Sequence, residues 1–309
     1  MEEASPRLLS FDPKREPTVP RHASTVVVVR DGAPGLEVFC VLRHMKSTFL
    51  GGAVVFPGGK VDDEDEDEAW AAQATAPQPR AEALAMKLAG TAEGGGSPAS
   101  PPVTARALAV AACRETLEEA RILPLDAPMP DAEVEALRVA LAASPGSLSA
   151  ALAGLGRKLA LDALVPWARW VTPAAEARRF DARFFLLELP LGQEGRHDDH
   201  ETTMSFWGRP AAVLERFMRG EIFLAPPTTR TLELLASCPE VRAARSLAME
   251  QSLLPVCPSF APGDDAPFLA LPGDPTHEVP ERRVSGPTRF VLRDGRFVSE
   301  DPPRGGEIT

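Results

Sequence analysis

No stretch of this 309-residue chain approaches the roughly 20 apolar residues of a membrane span, so none is expected. The start, MEEASPRLLSFDPKREP, is charged and broken by proline, unlike a secretory signal. Cysteine is scarce. Cys40, Cys113, Cys238 and Cys257 form no C-x-x-C pair and no zinc spacing, which points to reduced thiols in a core. Positive charge is also in deficit, with 33 Lys and Arg against 44 Asp and Glu and a net charge of −11. That balance argues against an electrostatic footprint for nucleic acid. A hydrophobic fraction of 44% suffices for a core, while 32 prolines and 23 glycines imply many loops. The length allows one large domain or two small ones.

The first ordered features are expected after a loose tail, residues 1–22. Ser24 to Arg30 (STVVVVR) is a β-branched run of the kind buried on both faces of a sheet. A turn at 31–35 leads to a returning strand, Leu36 to Arg43, and a third strand spans Ala53 to Phe56. Phe56-Pro57-Gly58-Gly59 follows, where the glycines let the backbone pass close to a ligand. An acidic run, Asp62 to Glu68, comes next and reads mostly as solvated charge.

Ala107 to Leu123 (ALAVAACRETLEEARIL) is an amphipathic helix with Ala107, Leu108, Val110, Ala111, Leu117 and Ala120 on its apolar stripe. Glu115, Glu118 and Glu119 stand at i, i+3 and i+4, so they share one face and repel unless a cation sits against them. Converging carboxylates suit hard cations such as Mg²⁺ or Mn²⁺; a plain solvated face is the alternative.

FPGG, an acidic run and then R-E-x-x-E-E together resemble the Nudix box, G-x5-E-x7-R-E-U-x-E-E-x-G-U with U aliphatic. Gly59, Arg114, Glu115, Glu118, Glu119 and Ile122 match it. Three positions depart: Asp65 stands where the first glutamate is counted, Thr116 replaces an aliphatic residue, and Arg121 replaces the glycine after the helix. The spacer is also long, running from Glu66 to Cys113. A box split in this way, with STFLGGAVVFPGGKVD, WVTPAAEARRFDARFF and LAPPT, is similar to the Nudix branch that includes the peroxisomal coenzyme A diphosphatase-like enzymes.

That resemblance implies an α/β (α+β) Nudix fold, a mixed β-sheet sandwiched between helices. The Nudix domain would span 23–250, with a helical insertion at about 66–104 that either shapes the pocket or decorates the surface. Residues 251–309 would form a C-terminal β extension packed on the domain. The implied catalytic residues are Glu115, Glu118, Glu119, Arg114 and Glu201, the last from an E-x5-W pattern ending at Trp207. Gly58, Gly59 and Arg179 would bind the ligand. Glu115, Glu118, Glu119 and Asp65 would hold Mg²⁺ or Mn²⁺. Asp198, Asp199, His197 and His200 crowd the same loop as Glu201, the histidines as ordinary loop polarity. Arg178, Arg179 and Arg183 offer cations for a second phosphate.

Elsewhere, helices are expected at Glu68–Leu88 (broken at Pro77 and Pro79), Asp131–Ala143, Ser149–Ala160, Pro210–Arg219, Pro227–Ala236 and Glu240–Glu250. Strands are expected at Leu164–Val171, Phe180–Leu189, 288–292 and 296–298, with Trp167, Trp170, Phe184 and Phe185 in the core. The implied activity is metal-dependent cleavage of a nucleoside diphosphate linked to X, with coenzyme A or its thioesters as X. The alternatives are an ADP-ribose or nucleotide-sugar pyrophosphatase, or a non-catalytic Nudix-fold binding module, which retention of all three glutamates disfavours. The expected partner is this small molecule alone, the state a monomer or homodimer. The C-terminal GGEIT is not the Ser-Lys-Leu peroxisomal address, so the expected compartment is the cytoplasm.

Overall fold

A computed structural model describes residues 16–44, 51–86, 100–143, 147–197 and 202–303. Among these residues, twelve strands and eight α-helices follow one another along the chain. β1 (Arg21–Gly32) and β2 (Gly35–Arg43) form the expected hairpin, and β3 (Val54–Val55) and β4 (Gly58–Lys60) flank Phe56-Pro57. The insertion holds α1 (Trp70–Gln73) and α2 (Glu82–Ala85). Then come α3 (Ala105–Ala120), α4 (Asp131–Ala143), α5 (Leu148–Gly154), β5 (Val165–Val171), β6 (Phe180–Glu188) and β7 (Thr202–Gly208). Helices α6 (Pro210–Met218), α7 (Pro226–Leu235) and α8 (Val241–Glu250) precede five short strands. These are β8 (Pro255–Val256), β9 (Ser259–Ala261), β10 (Phe268–Ala270), β11 (Arg289–Arg293) and β12 (Arg296–Glu300).

The main sheet runs β3-β2-β1-β6-β5-β8, with β4 also on β1 and β7 also on β2. It is mixed: β1 pairs parallel to β6 and antiparallel to β2. Val26 to Val29 are fully buried, as a strand covered on both faces requires. Val26, Val28, Phe39 and Val41 face α3, α4 and α5, whereas Val27, Val29, Val38 and Cys40 face α6, α7 and α8. The sheet is thus sandwiched between helices. All four cysteines are buried free thiols, and burial pushes Cys40 up to about 12. No helix among the described residues is long and apolar enough to cross a membrane.

Three expected elements differ. The helix expected over Ser149–Ala160 stops at Gly154, and Gly156 takes a left-handed φ of 63°. The polar stretch before Trp207 supplies strand β7, because β2 offers it a register from Val38 to Arg43. The break expected at Pro77 and Pro79 is present, but among its described residues the insertion's two helices on either side are single turns, and it is no surface ornament. Trp70 and Leu84 are buried in the α3-side core, and Arg80 donates to Pro166 O and to the C-terminal end of α8 at Ala248 O.

The insertion's stems are fixed by charge. Arg169 makes a two-point ion pair with Asp181 (2.9 and 2.7 Å) and donates to Met86 O, while Arg183 donates to Leu84 O. His22 reaches Pro101 O through Nε2 at 2.7 Å and faces Arg183 Nη1 through Nδ1 at 2.8 Å. Two acceptor and donor requirements fix the tautomer: Nε2 carries the proton and Nδ1 accepts. Burial first, then Arg183, lowers the His22 pKa, so the ring stays neutral at neutral pH. Arg183 is therefore a fully buried brace and not a cation for a substrate phosphate, because its donors are committed to the stems.

At the other end, β9 to β12 form a separate four-stranded antiparallel sheet whose Leu269, Phe290 and Phe297 join the core on the α7 side. Arg230 of α7, fully buried, donates to Ser285 O, Pro287 O and Ser299 Oγ and fastens this sheet to the helix.

Candidate active site

Helix α3 carries the site, and three local features fix its two ends and its place on β1. Thr104 caps its first turn by accepting from Ala107 N–H, and Ser24 of β1 donates to Leu108 O at 2.7 Å. At the far end Arg121 adopts φ 56°, ψ 37°, the left-handed cap normally given to glycine. Its N–H returns to Leu117 O (3.1 Å), and Ile122 N–H returns to Thr116 O (3.2 Å). The missing glycine leaves the turn unchanged; arginine accepts a conformation that costs roughly 1 kcal/mol.

The two halves of the split motif meet across β4. Gly58 N–H donates to Glu119 Oε2 at 2.9 Å. A Cβ on Gly59 would lie 2.3 Å from Glu115 Oε1, and one on Gly58 would lie 2.4 Å from Ser24 O, so both positions need glycine for close approach.

Arg114 ties the remaining pieces. Its Nε and Nη2 each reach Asp65 at 2.9 Å, Nη2 also donates to Lys60 O at 2.9 Å, and Nη1 bonds Glu115 Oε1 at 2.9 Å and Glu118 Oε2 at 3.3 Å. Burial opposes its charge, but Asp65, Glu115 and Glu118 outweigh that and keep it protonated. Asp65 is buried, and Oδ2 also accepts the Asp62 N–H at 2.8 Å.

Glu115 is pushed up to about 7, first by burial and then, against the opposing pull of Arg114, by Glu118. Glu119 is buried, with Oε1 3.6 Å from Arg43 Nη1, whereas half of the Glu118 side chain is exposed. Arg43, at the end of β2, escapes a reading by motif; the signal was a lone cation closing an apolar strand.

The structure thus brings together Gly58, Gly59, Asp65, Arg114, Glu115, Glu118 and Glu119. It does not bring Arg179 among them: that buried guanidinium holds Thr172 O, Pro173 O and Thr18 O at the β5–β6 turn. Glu201, Asp198, Asp199 and His200 lie outside the described residues. His197 turns to Ser205 Oγ through both its N–H and Nδ1, 3.1 Å each. Trp207 packs edge-on to Phe39 with Arg30 over its ring.

For a hard divalent cation the donor chemistry fits: three carboxylates stand on one face of about one helix turn. In the conformation described, no three acidic, His or Cys side chains converge as ligands among the described residues. Arg114 Nη1 lies between Glu115 and Glu118 instead.

Comparison with known proteins gives the same assignment. Residues 18–235 match the family model described as the NUDT19 Nudix domain. An acyl-coenzyme A diphosphatase NUDT19 from Gallus gallus is 28% identical over 93% of this chain and 87% of its own length. One of the same description from Xenopus laevis is 26% identical over 47% of this chain and 40% of its own. The crystal structure of a NUDIX hydrolase from Alicyclobacillus acidocaldarius superimposes with a TM-score of 0.58 at 30% identity, covering 74% of this chain and 96% of that one. With the split box assembled around α3, the chain belongs to the NUDT19 Nudix domain family, hydrolases that act on diphosphate bonds.

Proposed function

We propose that this enzyme hydrolyses the diphosphate of coenzyme A or its acyl thioesters, releasing 3′,5′-ADP and the phosphopantetheine portion. The observation that carries the reading is the assembled face of Glu115, Glu118 and Glu119 against Gly58-Gly59. The choice of substrate is supported by similarity to a relative named an acyl-coenzyme A diphosphatase along 93% of this chain.

Glu115, Glu118 and Glu119 would hold Mg²⁺ or Mn²⁺, which supplies charge neutralisation for the diphosphate and a lowered pKa for the attacking water. The protein's own parts divide the remaining work. Gly58 N–H fixes Glu119 Oε2, and the missing side chain of Gly59 leaves room for the Glu115 carboxylate. Arg114 orients Glu115 and Glu118, and Asp65 acts through Arg114, since both its oxygens are already bonded, and not as a ligand. Glu201 is retained as a candidate base by its place in the sequence, while Arg179 belongs to the scaffold. The working compartment is the cytoplasm.

The test is a hydrolysis panel with Mg²⁺ or Mn²⁺, reading phosphomonoester products by mass. Coenzyme A and short acyl thioesters should be cut faster than ADP-ribose or dinucleoside polyphosphates. ADP-ribose cleaved equally well or better would overturn the coenzyme A assignment.

A further inference from the structure

Ser24 lies outside the glycine and glutamate motif, yet it touches both halves of it. It stands inside the main sheet, paired with Gly59 of β4 on one side and Arg183 of β6 on the other. Its carbonyl oxygen packs against Gly58, where an added Cβ would lie 2.4 Å away. Its hydroxyl, fully buried, donates to Leu108 O of α3 at 2.7 Å. Leu108 and Glu115 are two turns apart on one helix face, roughly 10 Å along the axis at ~1.5 Å per residue.

A closed circuit results. It runs from Ser24 Oγ to Leu108 O, along α3 to Glu115, across to Gly59 and back through the β1–β4 pair. The step from Glu115 to Gly59 has no slack, since a Cβ on Gly59 would lie 2.3 Å from Glu115 Oε1. The Gly58 N–H bond to Glu119 Oε2, 2.9 Å, closes a parallel path one turn further on. These contacts, and the bond from Arg114 to Lys60 O, run through long side chains that can change rotamer. The Ser24 bond grips the helix main chain, so it acts on the placement of α3 as a whole. Apolar contact between α3 and β1 is non-directional, whereas a hydrogen bond fixes both distance and angle.

We infer that Ser24 is a positioning residue for the reaction. It sets the height of α3 over β4, and thereby seats Glu115 and Glu119 against Gly59 and Gly58. This rests on the diphosphatase reading above and adds a residue that acts through the glutamates without touching substrate.

The full chain is compared as Ser24→Ala and Thr104→Ala. Each deletes one hydroxyl contact of α3, and each should lower the melt by about 1–3 °C. Mn²⁺ affinity is read by calorimetry, and coenzyme A turnover in saturating Mn²⁺ by product mass. Ser24→Ala should bind Mn²⁺ about fivefold more weakly or worse and lose about tenfold or more in kcat, with KM little changed. Thr104→Ala, which loses only the cap of the first turn, should stay within about twofold of wild type in all three. A metal-free measurement is independent of turnover. With α3 released by Ser24→Ala, adding Gly59→Ala should lower the melt by about half as much as it does in wild type, but by the full amount in Thr104→Ala. Ser24→Cys keeps a weak donor of similar size; it should fall between, and it carries the comparison if the alanine variant does not fold. Losses of Mn²⁺ affinity and turnover in Ser24→Ala that match those of Thr104→Ala overturn the inference. So does an undiminished Gly59→Ala effect in both backgrounds. Wild-type protein that binds no Mn²⁺ overturns the metal reading of α3 together with the inference, so the two failures are distinguishable.

Discussion

Replacing Gly59 by alanine tests the geometry of the site with one methyl group. The backbone there is extended and paired with Ser24, so alanine suffers no torsional strain. The difficulty is entirely Glu115, whose Oε1, Cδ and Oε2 lie 2.3, 2.4 and 2.5 Å from the new Cβ. Ordinary contact begins near ~3.5 Å, so the carboxylate must retreat by about 1 Å. It is held on its other side by Arg114 Nη1 at 2.9 Å, which limits easy escape. Overpacking of this kind costs about 1–3 kcal/mol. Loss of glycine's unfolded-state freedom offsets about 0.4–1 kcal/mol of that. A net loss of about 1–2 kcal/mol lowers Tm by roughly 2–3 °C at this chain length. The effect on turnover is larger, since a misplacement of about 1 Å can cost on the order of 100-fold. Circular dichroism melts and metal-dependent product release measure the two.

A second mutation separates steric from other causes. Glu115→Asp withdraws the carboxylate by one methylene, so Gly59→Ala should destabilise the Glu115→Asp variant less than wild type. The coupling should be about 1 kcal/mol. Gly58→Ala is the contrasting control, because its Cβ would meet Ser24 O at 2.4 Å and Thr25 Cα at 2.7 Å. Backbone cannot move aside as a side chain can, so this variant should lose about 3 kcal/mol or more, toward the severe end for overpacking. Gly59→Ala with an unchanged melt and turnover within threefold of wild type would refute the contact between β4 and Glu115.

Glu118→Gln and Glu119→Gln should each lower turnover by orders of magnitude while the melt stays within a few degrees; near-normal rates at saturating Mg²⁺ would move the site elsewhere. Glu115 sits near 7, so apparent Mg²⁺ affinity should fall up to about tenfold per pH unit below that value, because the protonated carboxyl is no ligand. The sign for stability follows from a folded pKa above the unfolded one: the favourable contribution is present below the unfolded value and lost as pH rises through about 7. Metal-free Glu115→Gln should therefore melt higher than wild type at pH 8 but not at pH 5. Asp181→Asn should cost about 3–5 kcal/mol, since Arg169 and Arg183 would be left buried without their shared counter-charge. Thermal melts and the rate of limited proteolysis would both report it.

The parts of this fold most legible in the sequence were those whose pattern is local. STVVVVR, the 31–35 turn and LEVFCVLR specify a hairpin by themselves, and the stripe of Ala107, Leu108, Val110 and Leu117 specifies α3. What stayed hidden was set by partners distant in the chain. β7 is polar and reads as loop, yet it pairs with β2 from Val38 to Arg43. Arg169 and Arg183 punctuate strands like surface charges, but their acceptors at Met86 and Leu84 come from the insertion, 83 and 99 residues away. Asp65 was found by counting along a motif, which gives its place but not its orientation; only the structure shows both oxygens on Arg114 and Asp62. Arg121 is the instructive intermediate case: the sequence exposes the missing glycine, and the turn forms anyway because Leu117 O and Thr116 O still receive their donors.

A motif can be split by a long insertion without loss because its two halves do not depend on each other's spacing. Each docks independently on β1: β4 through pairing at Ala23, Ser24 and Thr25, and α3 through Ser24 Oγ and its apolar stripe. Closing a longer loop between two docked elements adds little, only about 0.6 kcal/mol for each doubling of its length. What a longer loop does threaten is the site, if the added chain falls across it. Here the stems are fastened at His22, Asp181, Arg169 and Arg183, beside the first turn of α3. About ten helical residues separate that turn from Glu115, roughly 15 Å at ~1.5 Å per residue. The buried charge cluster thus anchors the later part of the insertion, at Leu84, Met86 and Pro101, while its first residues leave from Asp65, which Arg114 holds beside the carboxylates. With both ends pinned, the contacts of Gly58 and Gly59 with Glu119 and Glu115 form across the interruption.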